Sequence, residues 1–398
     1  MQFDKDKKVF VTGIGIISAI GTNAKETLSS LEHKKHGISQ ISHIKTIHKD
    51  ELKVGEIKLT NAEIKERLNL QGDNTYPRTT LLAIHAAKEA YEDAGLKRND
   101  GFKTGVILGT TVGGMDKSEV VYKNIGEDLS FIDSHHCGYT TERVADFLGA
   151  HDFVSSLSTA CSSGVNAILL GARLIKHGIL DRAIVGGTDA LSKFTINGFR
   201  TLMILHTEHS CPFDKNRKGL NLGEGAGIIV LESEKSLNGK KVYCELTGYA
   251  NNNDAFHQTA SSPDGLGPYL SMKNALEMSG LKPCEIDYIN VHGTGTDNND
   301  VTEGLAMIKL FDGKVPKFSS TKAFTGHALG GAGGIESVFS ILAIEHDMIF
   351  PNLNFKEAIP EINLIPVTET IKNAGVKNVM TNSFGFGGND STLIFSKV

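Results

Sequence analysis

Short strand-like segments and longer helical segments alternate along most of this chain of 398 residues. The strand-like runs are apolar and rich in β-branched residues, whereas the helical stretches repeat apolar side chains at helical spacing. This alternation predicts an α/β protein, with helices covering the faces of a sheet. The strand-like runs are Lys8–Thr12, Thr104–Leu108, Phe153–Leu157, Arg182–Val185, Gly227–Glu232, Tyr288–His292 and Leu393–Ser396. The helical stretches are Thr79–Ala94, Ser162–His177, Tyr269–Ser279 and Gly334–His346.

Two similar strand-to-helix units indicate that the chain has two halves. Residues 158–164 (STACSSG) lead into one predicted helix, and residues 319–327 (SSTKAFTGH) lead through a glycine run into another. A gene-duplicated pair of α/β halves would show this pattern, as would two unrelated strand–helix turns, because identity between the units is slight. The polar segment Asn238–Lys241 is the best candidate boundary. We therefore expect an N-terminal half of residues 1–239 and a C-terminal half of residues 240–398.

Charge and cysteine usage exclude several classes of protein. The 41 basic and 46 acidic residues give a net charge of −5, which argues against nucleic acid as a main partner. No apolar run approaches the ~18 residues of a membrane span. The five cysteines show no disulfide-framework or zinc spacing, so we expect a reducing, cytoplasmic setting. No complete dinucleotide fingerprint or P-loop occurs, which disfavours NAD or ATP chemistry.

Cys161 is the candidate nucleophile. It follows the strand-like run Phe153–Leu157, has small neighbours and precedes a predicted helix that begins at Ser162. A thiol at a helix N-terminus lies near the positive end of the helix dipole, which favours the nucleophilic thiolate. The alternative is a buried structural cysteine, which is the commoner role of a single cysteine in an apolar stretch.

Two histidines and a lysine stand at comparable positions in the C-terminal half. His292 ends a strand-like run and opens a glycine- and threonine-rich loop, and His327 follows Lys322 by five residues. A cysteine at a helix start with two such histidines is typical of a nucleophile served by two imidazole donors. Metal binding by the histidine pair is the rival interpretation, although no third ligand has a distinctive spacing.

Five motifs, in order along the chain, resemble those of the β-ketoacyl-acyl-carrier-protein synthases, condensing enzymes of the thiolase superfamily. The motifs are TACSSG (159–164), PFD (212–214), GEGAG (223–227), HGTGT (292–296), and Lys322 followed by TGH (325–327). The resemblance covers essentially the whole chain and implies a thiolase-like fold, with two duplicated α/β halves in a layered αβαβα arrangement. The histidine of TGH and the absence of a cysteine after Cys284 resemble elongating Cys–His–His synthases rather than initiating synthases or thiolases.

The resemblance implies an acyltransferase of fatty-acid elongation that catalyses decarboxylative Claisen condensation of an acyl thioester with malonyl carrier protein. The catalytic residues that it implies are Cys161, His292, Lys322 and His327. It also implies an oxyanion hole formed by the backbone amides of Cys161 and Phe386, with Phe386 acting as a gate. Thr294 and Thr296 would contact the pantetheine arm, and Glu303 would support Lys322. It also implies a structural monovalent cation near Asn290, Glu303 and Glu336, and no catalytic metal.

No bound cofactor is implied, because the substrates are carried on the phosphopantetheine of an acyl carrier protein. The resemblance further implies a homodimer or a heterodimer with a related synthase. Glycines are frequent, with 43 against 9 prolines, and many lie at 113–114, 293–295, 326–334 and 385–388. We expect the backbone to approach the substrate closely there.

Some residues depart from the family pattern and leave the substrate open. Asn389 and Asp390 stand where the family usually has Thr-Asn, Gly295 replaces a more usual Ser, and Val112 stands where an Ile often gates the acyl pocket. The alternative function is therefore a ketosynthase of a specialised polyene or polyketide pathway, aryl-polyene-like, with a chain-length-factor-like partner. A catalytically silent partner subunit and a non-condensing acyltransferase are the other two hypotheses.

Overall fold

The computed structural model describes residues 7–70, 76–122 and 130–398. The N-terminal half contains β1 (Val9–Ser18), α1 (Ala24–Glu32), β2 (Ser39–Gln40), β3 (Lys53–Val54), α2 (Asn61–Arg67), α3 (Arg78–Asp93), β4 (Thr104–Gly109), α4 (Met115–Val121), α5 (Ser130–His135), α6 (Cys137–Leu148), β5 (Phe153–Leu157), α7 (Ser163–Lys176), β6 (Arg182–Asp189), α8 (Lys193–Thr201) and β7 (Gly225–Ser233). The C-terminal half contains β8 (Cys244–Asn253), α9 (Leu266–Ser279), β9 (Tyr288–Asn290), α10 (Asp297–Leu310), β10 (Lys317–Ser319), α11 (Lys322–Thr325), α12 (Ala332–Glu345), β11 (Met348–Ile349), β12 (Ile371–Lys372), β13 (Asn378–Gly385) and β14 (Asn389–Ser396).

The two halves repeat one sheet topology. In spatial order the main sheet runs β10-β9-β13-β14-β8-β1-β7-β6-β4-β5, so each half contributes five strands. In each half the first three strands from the outer edge are parallel and the remaining pairings are antiparallel. The halves join where β1 pairs with β8 at Phe10–Glu245 and Val11–Cys244. This repeated strand order confirms the predicted duplication.

Helices lie in three layers around the strands of the two halves. The central helices α7 and α12 contact each other and strands of both halves, including β6, β7 and β14. The outer helices α3 and α6 cover the N-terminal half, and α9 covers the C-terminal half with α10 against it. In β7, Ile229 and Leu231 point into the central core, whereas Ile228 and Val230 point into the outer one. Burial on both faces explains why these strands read as continuous apolar runs.

Most predicted elements are present, with one informative error at β1. The strand-like run predicted at Lys8–Thr12 is too short, because the strand continues past Gly13 and Gly15 to Ser18. A Cβ at Gly15 would lie 2.0 Å from the carbonyl oxygen of Ala86 in α3, so glycine there allows the helix to pack closely on the strand. In the part of the chain that the structure describes, no helix is both long and apolar enough to cross a bilayer.

Candidate active site

Cys161 lies in a tight turn between β5 and α7. Ala160, the residue before it, has a left-handed backbone with φ of +53°, which is uncommon for alanine. The backbone N–H and the hydroxyl of Ser163 both donate to the carbonyl oxygen of Ala160. The hydroxyl of Ser383 on β13 donates to the backbone carbonyl oxygen of Cys161. These bonds fix the turn, so the sulfur is held at the start of the helix, as the sequence predicts.

The central helices approach each other through glycine. A Cβ at Gly164 in α7 would lie 2.9 Å from the carbonyl oxygen of Gly330 and from the amide nitrogen of Gly334. Gly330 lies three residues after His327, and Gly334 is in α12. This close approach of backbones is what brings the turn of Cys161 next to the turn of His327.

The backbone of His327 is held by the GEGAG motif region. Its N–H donates to the carbonyl oxygen of Asn221, and its carbonyl oxygen accepts from the N–H of Gly223. The imidazole is buried, with Nε2 at 3.0 Å from Cys161 Sγ. The GEGAG segment therefore positions His327 and runs on into β7.

The backbone of His292 is held from both sides by charged groups. Glu303 in α10 accepts from the N–H groups of His292 and Gly293, both at 2.9 Å. Lys322 Nζ donates to the carbonyl oxygen of His292 at 2.5 Å and to Glu336 at 2.5 Å. The expectation that Glu303 supports Lys322 is therefore corrected: Glu336 in α12 contacts the lysine, because its helix passes beside it, and Glu303 supports the His292 loop.

The sulfur and the two imidazoles form one compact group. The rings of His292 and His327 meet edge to face, with their centroids 5.4 Å apart. Ligand-type atoms of Cys161, His292 and His327 all lie within 4.8 Å of one another. By distance alone, this group fits a transition-metal site as well as a nucleophile with two donors, so both interpretations survive the geometry.

Burial sets the protonation of the group. It raises the pKa of the Cys161 thiol to about 11, which the Lys322 charge and the backbone N–H groups of Phe386 and Cys161 oppose. Burial also lowers the pKa of both imidazoles well below the usual range, with Lys322 adding to the effect. Both histidines are therefore neutral near pH 7. The two amides expected to form an oxyanion hole thus both lower the pKa of the thiol.

A cavity of about 280 Å³ opens onto this group. Thr294 and Thr296 line it, with their hydroxyl oxygens 2.9 Å apart. Phe386 also lines it and stacks on Phe199, with ring centroids 6.0 Å apart. Val112 is not among the residues that line this cavity; it packs against an apolar cluster that includes Leu191 and Leu220, and of these Leu220 also lines the cavity. The predicted residues that share the cavity are Cys161, His292, Thr294, Thr296, His327 and Phe386.

Asp189, at the end of β6, is a residue that sequence reasoning missed. Its fully buried carboxylate accepts from the hydroxyl of Thr110 at 2.6 Å, from the N–H groups of Thr111 and Val112, and from that of Gly330 at 2.7 Å. Burial raises its pKa to about 6, which these hydrogen bonds oppose. The available signal was an acidic residue at the end of a buried strand, two positions after the glycine pair Gly186–Gly187.

The region predicted to hold a monovalent cation has two unsatisfied oxygens. Asn290 Oδ1 and Glu336 Oε2 are buried without a hydrogen-bond partner, which fits a cation ligated by oxygen. Glu303 instead uses its two oxygens on the His292 and Gly293 amides and on Asn382. The residues thus fit the predicted ion in part.

Comparison with known proteins agrees with this geometry. The protein-family model of the β-ketoacyl synthase N-terminal domain matches residues 6–236, and the family model of the C-terminal domain matches residues 243–356. The chain is 34% identical to a 3-oxoacyl-[acyl-carrier-protein] synthase 2 of Staphylococcus aureus (strain N315), over 99% of both chains.

Two solved structures extend the comparison. A chain of the ishigamide ketosynthase/chain length factor superposes with a TM-score of 0.93 at 31% identity, covering 98% of this chain and 99% of the other. A chain of the type II polyketide synthase complex AntDE:AntF, an acyl-carrier protein with its ketosynthase, gives a TM-score of 0.88 at 27% identity, covering 98% and 99%. The full-length match, the repeated topology and the Cys–His–His group lead to one conclusion: the chain belongs to the β-ketoacyl synthase family.

Proposed function

We propose that this protein is a β-ketoacyl-acyl-carrier-protein synthase that performs decarboxylative Claisen condensation in fatty-acid elongation. The single observation that carries the proposal is the environment of Cys161 Sγ. An imidazole nitrogen lies 3.0 Å away, and the backbone N–H groups of Cys161 and Phe386 lower the pKa of the same thiol. A nucleophile set inside its own oxyanion hole suits acyl transfer better than metal binding, because the amides have no role toward a metal.

In the first half-reaction, Sγ attacks the carbonyl carbon of an acyl thioester on the carrier protein. The carbon–sulfur bond to the carrier breaks, and the proton of the Cys161 thiol ends on the departing carrier thiol. The N–H groups of Cys161 and Phe386 stabilise the oxyanion during this exchange. One donor of this kind typically contributes ~2.7–4 kcal/mol to the transition state.

In the second half-reaction, the malonyl thioester loses CO2 and its electron pair passes into an enolate. Neutral His292 and His327 stabilise the enolate oxygen as hydrogen-bond donors, which requires no strong base. The nucleophilic carbon then attacks the acyl group on Cys161, and Sγ leaves as a thiolate, which takes up a proton from solvent to regenerate the thiol. Lys322 adds to burial in keeping both imidazoles neutral and holds the His292 loop, so we assign it a positioning role.

The partner and the arrangement of the chain follow from the same proposal. The acyl carrier protein would present its phosphopantetheine arm along the cavity, past Thr294 and Thr296, with Phe386 as the gate. We place the boundary between the two halves at residues 239/240 and a monovalent cation beside Asn290 and Glu336. We expect the enzyme in the cytoplasm, as a homodimer or as a heterodimer with a related synthase.

A second candidate is a ketosynthase of a specialised polyene or polyketide pathway. It is favoured by the close superposition with the ishigamide ketosynthase/chain length factor. In this case the preferred primer would be unsaturated or β-oxygenated rather than saturated.

The test is a reconstituted condensation with malonyl carrier protein and a panel of saturated and polyunsaturated acyl carrier proteins. We expect CO2 release and a 3-oxoacyl product, both lost in Cys161→Ala. A matched control, Cys284→Ala, changes an exposed cysteine and should keep full activity. Condensation retained in Cys161→Ala would overturn the proposal, and a strong preference for polyunsaturated primers would select the second candidate.

A further inference from the structure

Asp390 on β14 has both carboxyl oxygens buried without a hydrogen-bond partner, unlike any other acidic residue that the structure describes. Its side chain is fully inaccessible to solvent. The family pattern has asparagine at this position, so the carboxyl group is a feature of this chain. A buried carboxylate without a partner is strongly disfavoured and is usually neutralised by a proton or a bound ion.

Two carboxyl groups act on Asp390, and burial raises the pKa of one of them, Glu303, to about 7. Asp254, from the segment after β8, and Glu303, from α10, each raise the pKa of Asp390 further, and burial is the larger cause; together they bring it to about 8. A Cβ at Gly267, in the first turn of α9, would lie 2.0 Å from Asp390 Oδ2 and 2.9 Å from Asp254 Cβ. The two aspartates therefore meet beside the same helix turn.

Asp390 also lies next to the loop that carries Phe386. The N–H of Gly387 donates to the carbonyl oxygen of Gln258. In the other direction, the side-chain amide of Asn253 donates to the carbonyl oxygen of Gly387, and the N–H of Asp254 donates to the carbonyl oxygen of Gly388. These bonds attach the Phe386 loop (residues 385–388) to residues 253–262, which include Asp254. Thr259, Ala260 and Ser261 of that segment line the same cavity as Gly385 and Phe386.

We propose that Asp390 is a positioning residue that holds the Phe386 loop in place only while its carboxyl group is protonated. Loss of the proton to solvent sets two carboxylates against each other where the loop meets residues 253–262. Gly387 and Gly388, with φ of +83° and +76°, give the loop the freedom to move away. The Phe386 amide then leaves the sulfur and the cavity opens. Only the catalytic consequence rests on the proposed function; the titration and the loop movement do not.

The first experiment measures thermal unfolding of the wild type and of Asp390→Asn from pH 5 to pH 9.5. An acid with a pKa near 3.9 when unfolded and a higher value when folded loses stability as the pH rises between the two. The melting temperature of the variant should therefore exceed that of the wild type by an amount that grows up to about pH 8 and then stays constant. Asp50→Asn, at an exposed aspartate between β2 and β3, should show a constant difference.

The second experiment measures alkylation of Cys161 by iodoacetamide, followed by peptide mass spectrometry, which needs neither substrate nor condensation activity. The ratio of the wild-type rate to the Asp390→Asn rate cancels the titration of the thiol itself. We expect a ratio near one at pH 6.5 that rises several-fold by pH 9. Asp254→Asn keeps Asp390 but removes one negative neighbour, so the midpoint of its profile should move to lower pH.

Three results would overturn the proposal. Parallel pH profiles for the wild type and Asp390→Asn would mean that the carboxyl group does not titrate in this range. A stability difference without a change in the Cys161 rate ratio would mean that it titrates without positioning the loop. In the third case, the melting temperature of the wild type falls when choline replaces potassium, whereas that of Asp390→Asn does not change. This result would mean that a bound cation, and not a proton, neutralises the Asp390 carboxylate.

Discussion

Lys322 shows how single buried charges control this site. It is 2% exposed and contacts the His292 carbonyl oxygen and Glu336. Its charge adds to the effect of burial in lowering the pKa of both imidazoles. One side chain therefore holds the His292 backbone and reinforces the neutral form of two imidazoles that the proposed decarboxylation uses.

Lys322→Met tests both effects at once. Removal of one member of a buried ion pair leaves Glu336 uncompensated, so we expect a loss of about 3–5 kcal/mol in the free energy of unfolding. The pKa of both histidines should rise because one lowering charge is gone, which moves the acidic limb of the condensation pH profile to higher pH.

The matched control is Lys372→Met, because Lys372 forms an exposed ion pair with Glu32. Exposed pairs contribute about 0–1 kcal/mol, and Lys372 is remote from the candidate site. Urea unfolding and pH–rate profiles measure the outcome. Equal effects of the two substitutions, or an unchanged acidic limb in Lys322→Met, would contradict the role given to Lys322.

The positions of the candidate catalytic residues could be predicted from the sequence, but their buried partners could not. Cys161, His292, Lys322 and His327 could be predicted, because each stands in a motif at a strand or helix end. The partner of Lys322 could not, since Glu303 and Glu336 are both buried helical glutamates and only tertiary packing decides which one reaches the lysine. Asp189 was missed for the same reason: its donors come from Thr110–Val112 and Gly330, which are far apart in sequence.

At the scale of elements, the approach of α7 to α12 depends on glycine. Gly164→Ala would place a methyl group 2.9 Å from backbone atoms of Gly330 and Gly334, which cannot move without shifting the His327 turn. We expect a loss of about 1–3 kcal/mol in stability from this overpacking. Condensation should fall by more than the stability loss explains, because the sulfur and His327 Nε2 move apart.

Gly198→Ala is the control for this substitution. Gly198 lies inside α8, and a Cβ there would meet no atom within 4 Å. Alanine is a better helix former than glycine by roughly 0.5–1 kcal/mol, so this variant should be more stable and fully active. Thermal unfolding and condensation rates distinguish the two cases. A Gly164→Ala variant as active as Gly198→Ala would contradict the account of the helix contact.

Elements with a clear periodicity were predictable, and their limits were less so. The helical pattern of Thr79–Ala94 corresponds to α3 (Arg78–Asp93) within one residue. β1 extends six residues beyond the predicted end at Thr12, because its glycines serve helix packing and not a turn. Sequence alone does not distinguish these two uses of glycine, since both leave the same residue in an apolar run.

At the scale of the whole molecule, the site exists only because the halves are joined. Cys161 comes from the N-terminal half, whereas His292, Lys322 and His327 come from the C-terminal half. The repeated five-strand topology places the start of α7 and the turn before α12 at equivalent positions, and the two central helices bring them together. The duplicated fold thus supplies the nucleophile from one copy and the donors from the other.

The central claim is that Cys161 carries the acyl group between the two half-reactions. Mass spectrometry of the protein after incubation with an acyl carrier protein, and again after malonyl carrier protein is added, tests this directly. We predict an acyl adduct on the peptide containing Cys161, absent in Cys161→Ala, that disappears with release of one CO2 per acyl group when malonyl carrier protein is added. An adduct on another residue, or an adduct that malonyl carrier protein does not discharge, would contradict the account.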